Sequence, residues 1–74
     1  GGLVAPMSGK IIALIAEAGA EVEKGAPLLV MEAMKMEHTI VAPADGRLKA
    51  FRFALGDQVP EGAELVEFEK APAD

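Results

Sequence analysis

Short apolar bursts separated by proline and glycine organise this chain. Leu65-Val66-Glu67-Phe68-Glu69 alternates, which predicts a strand with Val66 and Phe68 turned inward. Lys10 to Ile15 and Arg47 to Phe53 are also runs of strand length. The alternation of the second is imperfect, so its faces stay unassigned. Pro6-Met7-Ser8-Gly9 and Pro43-Ala44-Asp45-Gly46 are turn signals, with proline fixing φ and glycine accepting positive φ. Gly19, Gly25, Gly56 and Gly62 mark further turns. A helix over Ile11 to Ala18 competes, because alanine and leucine favour it. Its counterpart, Leu48 to Leu55, carries Phe51 and Phe53 two apart and is flanked by glycines, so the strand reading is preferred.

That counterpart exists because the pattern repeats. Shifted by 37 positions, Val4 to Glu32 falls on Val41 to Glu69 without a gap. Val4-Ala5-Pro6 meets Val41-Ala42-Pro43, and Gly9, Gly19 and Gly25 meet Gly46, Gly56 and Gly62. By the repeat, Leu29 and Met31 face inward while Val30 and Glu32 face out. The expected fold is all-β: a small flattened sandwich or barrel whose halves, 4–32 and 41–69, pack against one another with pseudo-twofold symmetry. One domain over 1–74 with a core at 3–69 is expected from the length.

The halves are joined by Ala33-Met34-Lys35-Met36-Glu37-His38-Thr39-Ile40. A tight hairpin here puts Met34 and Lys35 at its tip. Two-residue hairpin turns ordinarily use Asn-Gly, Asp-Gly or similar pairs. None of these is present, and flexible apolar side chains stand where polar turn residues belong. Local rules are most often broken at functional sites. A lysine amine is nucleophilic when deprotonated and forms stable amides. Methionines beside it offer adaptable apolar surface to a processing enzyme. A merely solvated turn lysine is the plain alternative, and Lys10, Lys24, Lys49 and Lys70 fit that description.

Composition narrows the remaining options. The chain has 74 residues, no cysteine, one histidine, three phenylalanines and a net charge of −5. Disulfides and thiolate metal sites are excluded, and one imidazole does not make a catalytic zinc site. The acidic balance and the lack of tryptophan and tyrosine make nucleic acid a poor partner. No apolar run approaches the ~20 residues of a membrane span. Gly1-Gly2-Leu3-Val4 is too short and uncharged for a signal peptide, so a soluble intracellular module is expected. His38 reads as a partly packed strand residue. Glu32 and Glu37 face each other across the hairpin, but no aromatic sugar platform accompanies them as a glycosidase pair would require. Gly9-Lys10 is no phosphate loop, since Ile11 replaces the hydroxyl residue and Val4 the first glycine.

Glu32-Ala33-Met34-Lys35-Met36 resembles the biotinylation motif of biotin-dependent carboxylases, in which the lysine between two methionines is modified. The resemblance runs from about Leu3 to Glu69 and includes Ala5-Pro6-Met7-Ser8-Gly9 and Gly56-Asp57. It implies two four-stranded antiparallel sheets with the lysine on an exposed hairpin and the termini at the far end. Some biotinyl domains carry a thumb-like insertion. Ala16 to Gly19 matches Phe53 to Gly56 without added residues, so none is expected here.

Related lipoyl domains share that fold but typically place Asp-Lys-Ala at the tip, so Met34 and Met36 point to biotin. Met36-Glu37-His38 most resembles the biotinyl domain of methylcrotonoyl-CoA carboxylase. The resemblance implies that a biotin protein ligase joins biotin to Lys35. A biotin carboxylase then carboxylates the biotin ring nitrogen, and a carboxyltransferase passes the carboxyl group to an acyl-CoA, 3-methylcrotonoyl-CoA by the nearest likeness. The domain itself performs no chemistry. The location implied is cytoplasmic in a bacterium and the mitochondrial matrix in a eukaryote, and the isolated domain is expected to be a monomer. The rivals are a lipoyl carrier and a small β-sandwich that binds partners with Lys35 unmodified.

Overall fold

The computed structural model describes residues 3–72. Gly1, Gly2, Ala73 and Asp74, and with them the outermost ends of the expected domain, lie outside the described residues. The turn signals and short apolar bursts produce eight strands: β1 (Leu3–Val4), β2 (Gly9–Leu14), β3 (Glu21–Val22), β4 (Pro27–Ala33), β5 (Met36–Val41), β6 (Gly46–Phe51), β7 (Gln58–Val59) and β8 (Glu64–Lys70). The boundaries of β2, β3 and β4 recur as those of β6, β7 and β8 at the offset seen in the sequence. No helix covers Ile11 to Ala18; β2 ends at Leu14 and a turn follows. The β2–β3 connection matches the β6–β7 connection, so there is no thumb.

Two four-stranded antiparallel sheets form, in the orders β1-β8-β6-β3 and β5-β4-β2-β7. The halves meet by exchanging strands, not as separate layers: each sheet takes two strands from each half. The backbone hydrogen bonds show the same relation. Ala5 N donates to Ala63 O at 2.9 Å, and Ala42 N donates to Ala26 O at 2.9 Å. Gly25 N reaches Ala42 O at 2.8 Å, and Gly62 N reaches Ala5 O at 2.9 Å.

Between the sheets lie Ile11, Leu28, Leu29, Met31, Leu48, Val59, Leu65 and Val66, all at or near zero exposure. Full burial of each such side chain contributes about 1.5–3 kcal/mol. Leu29, Met31 and Val66 face inward as the alternation predicts; Phe68 is half-buried and packs against the core. Val30 is half-buried and Glu32 exposed. Leu28 and Leu65 are extra core residues that strict alternation misses. The register jumps from Pro27↔Val41 to Leu29↔Ile40, and from Val4↔Glu64 to Leu3↔Val66, turning the skipped leucine inward each time. Similar shifts between Ile11 and Ala13, and between Leu48 and Ala50, explain why the patterns of β2 and β6 look irregular.

Gly9 and Gly46 begin β2 and β6 where the neighbouring strand leaves no room for a side chain. A Cβ at Gly46 would lie 2.8 Å from the Phe68 ring and against the Glu69 carbonyl; one at Gly9 would lie 2.8 Å from Met31 Cε and against the Glu32 carbonyl.

Candidate functional site

β4 and β5 form a hairpin whose last paired residues are Ala33 and Met36, with Glu32 opposite Glu37 one step back. Only Met34 and Lys35 remain to turn the chain. Their φ angles are 53° and 65°, so both take the left-handed conformation that the right-handed twist of a two-residue hairpin demands. They are the non-glycine residues with positive φ among the described residues. Such a conformation costs an ordinary L-residue roughly 1–2 kcal/mol. The hairpin holds this strained pair at the point farthest from the core.

The five motif residues therefore sit together but in different surroundings. Ala33 is buried, 4% exposed, and its Cβ faces Gly9 across the base of the hairpin. Met34 is 83% and Met36 62% exposed, which is unusual for apolar side chains of this size. Lys35 and Glu32 are exposed as well. Lys35 takes part in no ion pair or side-chain hydrogen bond among the described residues. A primary amine with no side-chain partner among the described residues, presented on an exposed turn, is open to acylation by an activated carboxyl group.

Among the described residues no second chemical group completes a catalytic arrangement around it. His38 is half-buried on β5 opposite Met31, and its Nε2 finds no hydrogen-bond partner among the described residues. Glu32 and Glu37 do face each other, on the exposed side of the sheet. No cluster of three potential metal ligands occurs among the described residues, and no described helix is long and apolar enough to cross a membrane. An open cleft of about 530 Å³ lies elsewhere, lined by Glu21, Asp45, Arg47, Glu69 and Lys70 among others.

The cleft and the hairpin lie at opposite ends of a molecule 41 Å long and 18–19 Å across. β2 starts beside Glu32 and its continuation reaches Val22, which pairs with Gly46; Gly46 in turn pairs with Lys70. Leu3 pairs with Val66 on the same strand as Lys70. Both ends of the described chain thus emerge away from Lys35.

Sequence reasoning missed two side chains that steady these ends. Ser8 Oγ accepts the Glu61 N–H at 3.1 Å, and Asp45 Oδ1 accepts the Lys24 N–H at 2.8 Å. Both residues lie in recognised turn signals, but nothing in the local sequence names their partners in the opposite half.

Comparison with known proteins gives the family and the fold. The family described as "Biotin-requiring enzyme" matches residues 2–68. Over all 74 residues the chain is 51% identical to the mitochondrial methylcrotonoyl-CoA carboxylase subunit alpha of Mus musculus, and it spans 10% of that protein's length. It is 42% identical over 65 residues to the biotin carboxyl carrier protein of acetyl-CoA carboxylase from Solanum lycopersicum, covering 88% of this chain and 93% of that one. The solution structure of the lipoyl domain of the Azotobacter vinelandii 2-oxoglutarate dehydrogenase complex superposes with a TM-score of 0.84 at 21% identity, covering 96% of this chain and 98% of that one. That last likeness is one of fold.

Proposed function

The chain belongs to the family of biotin-requiring enzyme domains, and from that footing we propose that it is a biotin carboxyl carrier holding its cofactor through an amide on Lys35. Carriers of this kind are non-catalytic parts of biotin-dependent carboxylases. The observation that carries the assignment to Lys35 is its place on a left-handed turn between two exposed methionines. When bound, biotin supplies a ring nitrogen able to carry a carboxyl group; the difficult chemistry is the cofactor's, and the protein supplies position.

Each motif residue has a part in that positioning. The Lys35 amine is the attachment point, and its long stem adds reach. Ala33, pinned against Gly9, fixes the base of the hairpin so that the tip does not wander. Met34 and Met36 give a ligase or a carboxylase site an apolar surface to grip. Glu32 marks the acidic side of the same hairpin. Holding the cofactor away from both chain ends lets one tether serve two active sites at high local concentration.

The reading extends to partners. A biotin protein ligase loads Lys35, and biotin carboxylase and carboxyltransferase parts act on the loaded domain. The likeness to the mouse subunit supports 3-methylcrotonoyl-CoA as the final acceptor, and with it a mitochondrial matrix location if the chain is eukaryotic. In a bacterium the domain works in the cytoplasm. Residues 1–74 act as one biotinyl domain with its core at 3–69, monomeric when isolated.

Incubation with biotin protein ligase, ATP and biotin tests the central assignment. One biotin on the intact chain and none on a folded Lys35→Arg variant, read by mass spectrometry, is the expected result. Label on Lys10, Lys24, Lys49 or Lys70 refutes it, and a lipoyl increment on chain isolated from its native cell selects the lipoyl reading.

A further inference from the structure

The chain has four methionines and no cysteine, so its oxidisable sulfur is all thioether. The fold divides these thioethers sharply. Met31 lies wholly in the core with its Cε beside Gly9, and Met7 is half-buried in the turn before β2. Met34 and Met36 stand mostly in solvent, one on each side of Lys35. Oxidation of a thioether needs access by the oxidant, so a peroxide meets the two hairpin sulfurs first. Met31 becomes reachable only when the sandwich opens.

The same placement decides what oxidation does. At Met31 a polar sulfoxide would sit in an apolar core and disrupt it. At the tip the fold tolerates one. Ala33 supplies the buried contact at the base of the hairpin, and neither Met34 nor Met36 belongs to the core cluster. What changes is the surface beside Lys35. A thioether is a weak acceptor that an apolar pocket can enclose. A sulfoxide oxygen is polar, and enclosing it without a hydrogen-bond donor is costly. Two such groups would flank the one amine that has to be engaged. Reversal needs no unfolding either, because both sulfurs stay open to a reducing enzyme.

We infer that Met34 and Met36 form a reversible oxidation site, with a peroxide as oxidant, that withdraws the hairpin from the enzymes acting on Lys35. In the forward step a sulfur lone pair attacks a peroxide oxygen. An S–O bond forms, the O–O bond breaks, and the remaining oxygen of hydrogen peroxide leaves as water. Sulfur loses two electrons and the peroxide gains them. In the return step a dithiol supplies two electrons and two protons: the S–O bond breaks, the oxygen leaves as water, and the dithiol becomes a disulfide. Methionine sulfoxide reductases catalyse this return, one for each sulfoxide epimer. The site itself rests on exposure, and its effect on Lys35 rests on the carrier reading.

The test treats the chain with hydrogen peroxide and removes the peroxide before biotin protein ligase, ATP and biotin are added. Peptide mapping by mass spectrometry should place oxygen on Met34 and Met36 while Met31 stays a thioether, and the amide NMR spectrum should remain that of a folded chain. Loading of Lys35 should slow about tenfold. Reductase treatment with a dithiol should restore the untreated rate. Met7→Leu/Met31→Leu keeps only the hairpin sulfurs and should lose and regain loading as the parent does. Met34→Leu/Met36→Leu, compared only with itself before and after peroxide, should not change. Oxidation spread evenly over the four methionines, or reached only with unfolding, overturns the site. Loading unaffected by the mapped sulfoxides, a loss that reductase does not reverse, or a loss that persists in Met34→Leu/Met36→Leu overturns the effect on Lys35. No biotin on the untreated chain refutes the carrier reading instead, and the oxidation map still decides the site.

Discussion

Ser8 and Asp45, 37 residues apart, do the same work at opposite ends of the molecule: each caps a turn that belongs to the other half. Neither bond is buried, so each contributes in the usual range for an intramolecular hydrogen bond. Ser8→Ala and Asp45→Ala should each lower the unfolding free energy by about 0.5–1.5 kcal/mol. The sites share no partner, so the double variant should show the sum of the two losses, measured by urea denaturation.

The equivalent close approaches at Gly9 and Gly46 are less forgiving. A methyl group there meets a backbone carbonyl as well as a core side chain, and the carbonyl belongs to a paired strand that has little freedom to move. Gly9→Ala and Gly46→Ala should each destabilise by about 1–3 kcal/mol or more. The Gly9 variant should also loosen the Ala33 base of the hairpin, seen as faster amide exchange at Met36 and Glu37.

Exposure separates the methionines of the hairpin from the core. Met34→Ala and Met36→Ala should each cost well under the ~1.5–3 kcal/mol of a fully buried side chain. Phe68 is only half-buried, so Leu65 is the better control; Leu65→Ala should cost about 2–5 kcal/mol. Chemical denaturation run beside ligase loading and a complete carboxylase assay should show the methionine variants folded but defective in a functional step. Unfolding of either as readily as Leu65→Ala would mean that its side chain is structural.

Backbone strain at the tip gives an effect of opposite sign. Met34→Gly removes the left-handed penalty and should raise stability by roughly 1 kcal/mol. It also removes an apolar contact beside Lys35, so the same variant should load biotin more slowly. Thermal denaturation and a loading time course measure the two effects separately.

Much of this was readable from residues alone because glycine and proline punctuate the chain in register. Gly9 with Gly46 and Gly19 with Gly56 locate the strands to within a residue or two, and the unorthodox turn at Met34-Lys35 marks the hairpin. The exchange of β3 and β7 was not readable. Each has two residues, too few for alternation to show a face or a partner. Leu28 and Leu65 were missed as core because a register shift breaks the period of two on which the prediction rests. The positive φ at Lys35 was likewise invisible, since neither tip residue favours it and pairing of the flanking strands imposes it.

Strand exchange has a consequence for the lifetime of the working molecule. Opening one sheet pulls edge strands away from the half that anchors the other, so partial unfolding of one end cannot stay local. The connectivity is that of an intertwined dimer whose two subunits have been spliced into one chain, and the splice is the Lys35 turn. A cut between Met34 and Lys35 would leave two pieces still held by the strands they lend each other. If Lys35 holds the cofactor as proposed, the fold is thereby protected against fraying from its loaded end.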